Sequence, residues 1–266
     1  MDHEGSLSAG SGAGRAPSRK SAKAGWKENV AVVLEVLVLV SFVNAFLLQA
    51  FAIPTSSMEP EMLVGDRILA DRVAFSRSLS ILDSFLLPQL EIERGMIVAF
   101  RSPPEIRAGN FAQLHYVKRV IGLPGDLIRM ANNMVTIDGK PLDEPYKNLS
   151  APATVPPDFP PGPGEEWPEA FPEEYRGAVV ETRDGPAYRV PAGHYFCMGD
   201  NRNISADSRV WGPLPADCVV GKPWRNYWST KATTEEMLSS NILVKVKNAV
   251  VGLFTRTRWD RILKKF

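Results

Sequence analysis

The sequence predicts a mostly β domain that follows a single membrane-spanning helix. The helix is indicated by an almost unbroken apolar run over residues 30–53, close to the ~20 residues that a helix needs to cross ~30 Å of hydrocarbon. The β domain is indicated by short segments rich in β-branched and aromatic residues, separated by turns that contain Gly or Pro. We therefore expect one domain over residues 54–230, interrupted but not divided by a Pro-rich segment at 148–176.

Residues 1–29 are expected to form a disordered basic tail, because a segment dominated by Ser, Gly and Ala cannot bury a core. Its Lys and Arg residues lie just before the apolar run, which predicts that the amino terminus stays in the cytoplasm and that the chain after Ile53 is translocated. A cleaved signal peptide is the alternative. The run is longer than the apolar region of such a peptide and no small-residue cleavage pattern precedes Pro54, so an uncleaved anchor is favoured. Within the anchor, Asn44 is a candidate for a helix–helix contact.

The apolar run gives way to a hydroxyl-rich turn in which Pro54 and Pro60 bracket Thr55, Ser56 and Ser57. Proline fixes its own φ and moves the preceding residue out of the helical region, so the segment is predicted to be an extended turn with splayed side chains. Taken alone, such hydroxyls are ordinary turn formers. Their position becomes informative only together with motifs further along the chain.

The β pattern continues through the predicted domain, where Asp138-Gly139 between β-forming residues indicates a hairpin. The Pro-rich segment at 148–176 is too dense in proline for a helix or a central strand, so we expect an extended surface insertion. Residues 75–90 lack clean alternation and are predicted to be a short helix or a membrane-facing loop. Strands are expected at 62–70 with a turn at Gly65-Asp66, and at 96–100, 114–121, 127–130, 134–137, 178–180, 188–190 and 195–198.

Residues 231–266 are predicted to be a basic amphipathic carboxyl-terminal segment. Its apolar stretch at 249–254 is too short and too closely flanked by charges to span a membrane, so an interfacial helix is favoured over a solvated helix packed on the domain. The aromatic residues Trp224, Tyr227 and Trp228 are expected either at the level of the lipid headgroups or in the core.

Composition excludes several functional classes. A net charge of +1 leaves no electrostatic footprint for nucleic acid. Cys197 and Cys218 lie outside any CxxC or Cys/His cluster, so the sequence predicts no zinc site, and we expect two buried thiols rather than a disulfide framework. No other metal and no cofactor is predicted.

Three motifs then combine with the hydroxyl turn. They are Ser57-Met58 just past the apolar run, YVKRVIGLPGD at 116–126, and GDNR at 199–202 followed by SADSR at 205–209 and Trp211-Gly212. In this order they resemble the signature boxes of the bacterial type I signal peptidases, from Gln49 to Trp228 without the insertion. The resemblance implies an antiparallel β catalytic domain on the bacterial cytoplasmic membrane that removes signal peptides from exported preproteins after small residues. Its implied partners are preproteins, membrane lipid and the secretion translocon.

The same resemblance implies a role for each of four polar residues. Ser57 matches the nucleophile and Lys118 the general base, while Thr55 matches a hydroxyl that binds the oxyanion and Ser205 one that orients the lysine. The chemistry requires a neutral Lys118, because only an uncharged amine can take the proton of a serine hydroxyl. The flanking residues of Lys118 are those of a buried strand, and burial disfavours the ammonium form. An exposed edge-strand lysine is the alternative reading of that position alone.

Other residues near the site follow from the same match. The backbone N–H of Ser57 is expected to join Thr55 in the oxyanion site, because alternate residues of an extended chain share one side. Asp207 and Arg209 are expected to brace their loop by an ion pair. The residues that match positions around a small apolar substrate pocket, suited to Ala, are Phe51, Ile53, Met58 and Val117.

The sequence departs from the family pattern at two places. Met96 stands where the family commonly has Asp, and Asn203-Ile204 replaces a common Asp-Asn before Ser205. Neither departure touches Ser57 or Lys118, so we expect an effect on local ion pairing and stability. Two other functions remain alternatives: a Ser/Lys self-cleaving regulator, and a catalytically inactive membrane-anchored β scaffold. The apolar anchor and the lack of a helix-turn-helix module argue against the regulator.

Overall fold

A computed structural model describes residues 19–43, 47–73, 90–103, 115–239, 241, 252 and 255–266. The chain divides into two units, Met1–Val43 and Asn44–Phe266. The first unit contains one long helix and the second contains the β structure. The mostly β, antiparallel architecture expected from the sequence is confirmed.

Helix α1 spans Arg19–Phe42. It begins inside the predicted disordered tail, so that prediction is wrong for residues 19–29. The helix is favoured there because the stretch is rich in Ala, Lys and Arg, which are strong helix formers. The large apolar side chains between Val32 and Phe42 are 52–68% exposed along it. Among the described residues, none of the helices combines the length and the apolar character needed to cross a membrane. Residues 1–18 and Asn44 lie outside the described residues.

The β structure of the second unit forms two sheets. The strands of the larger sheet, in chain order, are β1 (Leu48–Ala52), β2 (Asp66–Asp71), β3 (Ile97–Arg101), β4 (His115–Gly122), β10 (His194–Met198), β11 (Leu214–Pro215) and β12 (Val219–Ser229). Those of the smaller sheet are β5 (Leu127–Ala131), β6 (Met134–Ile137), β7 (Lys140–Pro141), β8 (Val179–Thr182) and β9 (Gly185–Arg189). The orders are β1-β2-β12-β3-β4-β10-β11 and β7-β6-β5-β9-β8.

Strand β1 corrects the predicted extent of the apolar helix. Its five residues pair antiparallel with β2, from Leu48 opposite Asp71 to Ala52 opposite Arg67. Residues 48–52 therefore satisfy their backbone groups across a sheet and not along a helix, so the prediction of a helix through Ile53 is wrong at its carboxyl end. Hydropathy alone could not distinguish the residues of the helix from those of strand β1, because both are apolar and both fall in the same run of the sequence.

Strand β12 lies between β2 and β3 in the interior of the larger sheet and was not predicted. Its Pro223 has no N–H to donate, and the register with β2 shifts between Pro223 and Arg225.

The predicted strand at 62–70 also needs correction, since its first part forms turns and only Asp66–Asp71 is a strand. The hairpin at Asp138-Gly139 is confirmed, with both residues at positive φ between β6 and β7. The prediction for residues 75–90 falls outside the described residues except at Leu90.

The Pro-rich insertion takes part in the core of the smaller sheet, which corrects its assignment as a surface segment. Phe159 and Phe171 are 2% and 1% exposed, and they pack with Tyr188 and Phe196 in one aromatic cluster. Phe159 also exchanges backbone hydrogen bonds with Met130 of β5. Most of the insertion has no regular structure, although a short helix forms at Glu173–Arg176, contrary to the prediction. Burial of the aromatic rings fixes the chain to the domain.

The carboxyl-terminal residues 255–266 pack along the larger sheet, through isolated bridges from Thr230 to Thr257 and from Arg225 to Lys265. Phe266 packs against the apolar cluster under β1 and β2. The described part of the segment also contains a short helix at Thr234–Leu238 and a 3-10 turn at Trp259–Arg261. Residues 255–266 are thus bonded to the domain, and the interfacial helix expected from the sequence stays a prediction. The apolar stretch at 249–254 lies outside the described residues except for Gly252. Of the nearby aromatic residues, Trp224 is 46% exposed and Trp228 packs edge-on against Trp259.

Candidate active site

The hydroxyl turn is held at its base by strand-like bonds. The Ile53 N–H donates to the Asp66 carbonyl at 2.8 Å, and the Gly65 N–H donates to the Ile53 carbonyl at 2.9 Å. Gly65 has a φ of +90°, and a Cβ there would collide with the Thr230 carbonyl. Beyond this base, the Ser57 carbonyl accepts from the Asn201 N–H at 3.1 Å. The turn is therefore connected to the GDNR segment at 199–202, far along the chain from Ser57.

Lys118 lies on β4, where it pairs with Val98 of β3. Its side chain is enclosed, with the residue 2% exposed, and Nζ lies 2.6 Å from Ser57 Oγ. This is within the 2.6–3.2 Å at which a general base can take the proton of a nucleophile. The structure thus brings together the two residues that the sequence proposed as nucleophile and base.

Burial is the main influence on the Lys118 amine. It lowers the pKa of Lys118 from its ordinary value to about 8, with the nearby Arg209 guanidinium acting in the same direction. The carboxylates of Asp207 and Asp200 oppose this by favouring the ammonium. Because the largest effect is desolvation, the free amine is available near the pH at which a base works efficiently.

Ser205 lies close to the Ser57 backbone, and the absence of a side chain at Gly199 makes this possible. A Cβ on Gly199 would collide with both the Ser57 carbonyl and Ser205 Oγ, so only glycine lets the two serines approach here. Ser205 is fully buried, and its Oγ has no hydrogen-bond partner in the described part of the chain. The expected bond from Lys118 to Ser205 is therefore not present, and its orienting role stays a prediction. The sequence analysis did not predict the need for Gly199, although a glycine between a strand and a polar loop is a signal for close backbone approach.

Two buried ion pairs fix the walls around the lysine. Asp207 accepts from Arg209 at 2.8 Å and 2.9 Å and from the Gly199 N–H at 3.1 Å, which is the bracing that the sequence suggested. Arg119, adjacent to Lys118, donates to Asp200 at 2.8 Å and 2.7 Å. This second pair was not predicted. Its signal was present in two motifs, since YVKRVIGLPGD contributes Arg119 beside Lys118 and GDNR contributes the opposite charge of Asp200.

The proposed pocket residues share one cleft beside Ser57. Phe51, Ile53, Met58 and Val117 all line it, and Thr55 lines it as well. Residues that the sequence did not suggest also contribute, namely Ala52, Pro54, His115 and Tyr116, with the His115 ring 5.1 Å from the Phe51 ring. The cleft is mostly apolar, and Ser57 is at its wall.

The remaining candidates for reactive or ligating groups contribute little. Cys197 and Cys218 are not joined in a disulfide; Cys197 is buried, as expected, whereas Cys218 is partly exposed. Burial raises the pKa of the Cys197 thiol, which keeps it protonated. In the described ranges, no three His, Cys, Asp or Glu side chains are grouped so that they could hold a metal ion.

Comparison with known proteins identifies the family. Residues 26–228 match the family described as signal peptidase, peptidase S26. The chain is similar to signal peptidase I of Pseudomonas fluorescens, with 33% identity over 80% of this chain and 84% of that protein. It is also similar to signal peptidase I of Pseudomonas aeruginosa, with 34% identity over 72% of this chain and 66% of that protein. A solved signal peptidase I from Enterococcus faecalis shares 30% identity over 50% of this chain and 96% of its own, with a TM-score of 0.31 that adds no argument. The family match and the two Pseudomonas relatives establish that this chain belongs to the signal peptidase I family of peptidase S26 serine hydrolases.

Proposed function

We propose that this chain is a membrane-anchored endopeptidase that removes amino-terminal signal peptides from exported preproteins by a dyad of Ser57 and Lys118. The observation that carries the proposal is the 2.6 Å separation of Lys118 Nζ and Ser57 Oγ, with Lys118 buried and Ser57 partly exposed at the wall of the cleft. Family membership supports the substrate class, and the geometry supports the assignment of nucleophile and base.

The proposed reaction begins with neutral Lys118. Its amine accepts the Ser57 proton while Oγ attacks the carbonyl carbon of the scissile peptide bond. The resulting ammonium returns the proton to the leaving amine as the bond breaks and an acyl-enzyme forms. Water, deprotonated by the same amine, then hydrolyses the ester and releases Ser57. We assign Ser205 to accept a hydrogen bond from the lysine during this cycle, because its buried hydroxyl otherwise remains unpaired.

The oxyanion of the tetrahedral intermediate needs donors that are already in place. We assign this role to the backbone N–H of Ser57 and the hydroxyl of Thr55. Both residues line the same cleft, which supports the assignment. Ser56, between them, does not line the described cleft; its carbonyl accepts from the Asn201 side chain at 3.3 Å and from the Glu59 N–H at 3.1 Å.

The cleft accounts for a preference for small residues before the cut. Its walls are apolar and include Phe51 and Met58, which are 8% and 2% exposed and so belong to the packed core. A substrate side chain larger than Ala would have to displace a packed ring or thioether, which costs binding energy. We propose cleavage after Ala-x-Ala-type sequences on this basis.

The membrane anchor belongs to the proposal as well. Support comes from the apolar side chains of α1 between Val32 and Phe42, which are 52–68% exposed. The Lys and Arg residues before them favour a cytoplasmic amino terminus, with the catalytic domain outside the cytoplasm. The proposed partners are preproteins, bilayer lipid and the secretion translocon at the bacterial cytoplasmic membrane.

The test is cleavage of an exported preprotein by the detergent-solubilised full chain. We expect Ser57→Ala to abolish cleavage at the signal-peptide junction, since no other hydroxyl lies at Lys118 Nζ in the described structure. The neighbouring Ser56→Ala is the matched control, because it removes a hydroxyl from the same turn. It should retain most of the activity.

The outcomes also separate the alternatives. If Ser56→Ala were inactive and Ser57→Ala active, the nucleophile assignment would be wrong. Cleavage of this chain itself, with the preprotein left intact, would indicate a self-cleaving regulator. A wild-type chain that binds the preprotein without cleaving it would indicate an inactive scaffold.

A further inference from the structure

The first part of the Pro-rich insertion, residues 148–156, lies against both loops of the active site. The Asn148 side chain donates to the Glu59 carbonyl at 3.3 Å, two residues beyond Ser57. The backbone of Asn148 donates to the Asp200 carbonyl at 2.8 Å and accepts from the Arg202 N–H at 3.0 Å. This bracing segment, as we call residues 148–156, therefore joins the nucleophile turn to the loop that carries Ser205.

Asn203 holds the bracing segment with both its side chain and its backbone. Its Nδ2 donates to the carbonyls of Leu149 and Ala151 at 3.1 Å and 2.8 Å. Its own carbonyl accepts from the Thr154 N–H at 2.7 Å, the Thr154 hydroxyl at 3.2 Å and the Val155 N–H at 3.2 Å. One residue of the active-site loop thus binds four positions of the insertion's first part.

The identity of residue 203 matters because its side chain faces two acceptors. An amide supplies the two N–H groups that the Leu149 and Ala151 carbonyls need, whereas a carboxylate has no donor and would be repelled by both. Asn203 belongs to one of the two departures from the family pattern, in which Asn203-Ile204 replaces a common Asp-Asn before Ser205. The departure fits the insertion of this chain, since the amide is the group that the bracing segment requires.

The loop held in this way surrounds the catalytic lysine. Arg209 donates to the Pro156 carbonyl at 3.3 Å as well as to Asp207. The charged and titratable groups that act on Lys118 are Asp207, Arg209, Asp200 and Cys197. Three of these lie in the loop 199–209, and Cys197 lies on β10 just before it.

We infer that Asn203 is a positioning residue: by fixing the bracing segment to the loop 199–209, it keeps that loop closed over Lys118 and Ser57. The inference rests on the proposed function, because its effect is exerted on the Ser57 and Lys118 dyad. If the loop loosens, water reaches the amine, the desolvation that favours the neutral form weakens, and Ser205 and Asp207 lose their fixed positions.

The experiment compares Asn203→Ala and Asn203→Asp with wild type in the preprotein assay, over a range of pH. We expect kcat to fall on the order of tenfold with little change in KM, since small displacements of catalytic groups carry large rate effects. The rising limb of the pH profile should move to higher pH. A role in global stability alone would leave the midpoint of that limb unchanged.

Asp158→Ala provides the matched control. Asp158 also ties the insertion to the domain, by accepting from the Asn132 N–H at 2.7 Å, but this bond is on the β5–β6 hairpin and away from the active-site loop. Its thermal unfolding midpoint should fall as for the Asn203 variants, while its pH profile stays that of wild type. Should the Asn203→Ala protein not fold, Asn203→Asp, which keeps the size of the side chain, provides the same measurement.

The results separate this inference from the proposed function. If the wild type does not cleave, or Ser57→Ala does, the proposed function itself fails. If those two proteins behave as proposed but both Asn203 variants keep the wild-type kcat and pH profile, only the positioning role is overturned. An equal shift of the pH profile in Asp158→Ala would overturn it too, because the effect would then belong to the whole insertion.

Discussion

At the scale of single residues, the buried amine of Lys118 has a cost in stability. Its amine is buried in a site shared with Asp207 and Arg209, and this burial lowers the pKa of Lys118 to about 8. In the unfolded chain the same amine has its ordinary, higher pKa. The folded state therefore binds fewer protons than the unfolded state between these two values, so stability rises with pH across that window. Below about pH 8 the full cost of the buried ammonium is present.

The pH behaviour of cleavage follows from this residue. We expect kcat/KM to rise with pH through the lowered pKa of Lys118, near 8, because only the neutral amine can accept the Ser57 proton. Lys118→Arg should be inactive at every pH tested, since guanidinium stays protonated.

Lys118→Met should be inactive too, yet more stable than wild type at pH 7 by up to about 3 kcal/mol. Urea unfolding at pH 7 and pH 10 measures this gain, which should shrink at the higher pH.

Near wild-type cleavage by Lys118→Arg, in a preparation where Ser57→Ala is inactive, would eliminate the proposed dyad. A Lys118→Met protein that is less stable than wild type at pH 7 would show that the hydrogen bond to Ser57 and the charge facing Asp207 outweigh the desolvation of the amine.

At the scale of elements, the carboxyl-terminal segment holds the part of the chain that follows the hydroxyl turn. Arg261 donates to the buried Asp66 carboxylate at 2.6 Å and 3.2 Å and to the Glu61 carbonyl at 2.9 Å. Asp66 is the first residue of β2, and its carboxylate also accepts from the Leu63 N–H at 2.9 Å. The carboxyl-terminal segment therefore holds in place the residues that connect the hydroxyl turn to strand β2.

Removing Arg261 should accordingly destabilise the domain strongly. For Arg261→Met we expect a loss of about 3 kcal/mol or more of unfolding free energy, because Asp66 would keep a buried charge without its close partner. Lys264→Ala is the control: its ion pair with Glu61 is about one-third exposed on both sides, so its loss should cost about 1 kcal/mol or less. Urea unfolding of each variant gives the values.

The double variant Asp66→Asn with Arg261→Met identifies the cause. If the buried charge is responsible, the double variant should recover part of the stability lost in Arg261→Met. An Arg261→Met protein as stable as Lys264→Ala would contradict the bracing role of the segment.

At the scale of the whole molecule, the expectation concerns the side of the membrane on which the domain lies. The charge distribution around α1 favours a cytoplasmic amino terminus. A reporter enzyme that is active only outside the cytoplasm, fused after residue 230, should therefore be active in a bacterial host. The same reporter fused after residue 25, before the apolar stretch, is the control and should be inactive. Protection of the domain from protease added to spheroplasts would contradict this topology.

The sequence by itself determined the family, the mostly β character and the two residues that meet at the site, because local motifs and strand patterns are written in short stretches. Ser57 and Lys118 were both identifiable in this way, and most strands from 96 to 198 were located. Tertiary structure decided which of the apolar residues 30–53 leave the helix, where β12 pairs, and that Phe159 and Phe171 belong to the core. It also decided that Gly199 must be glycine, that Asn203 holds the insertion, and that Arg261 binds Asp66. Each of these depends on pairing or burial between segments far apart in the chain, and the free energy of such contacts leaves no periodic signal in either segment alone.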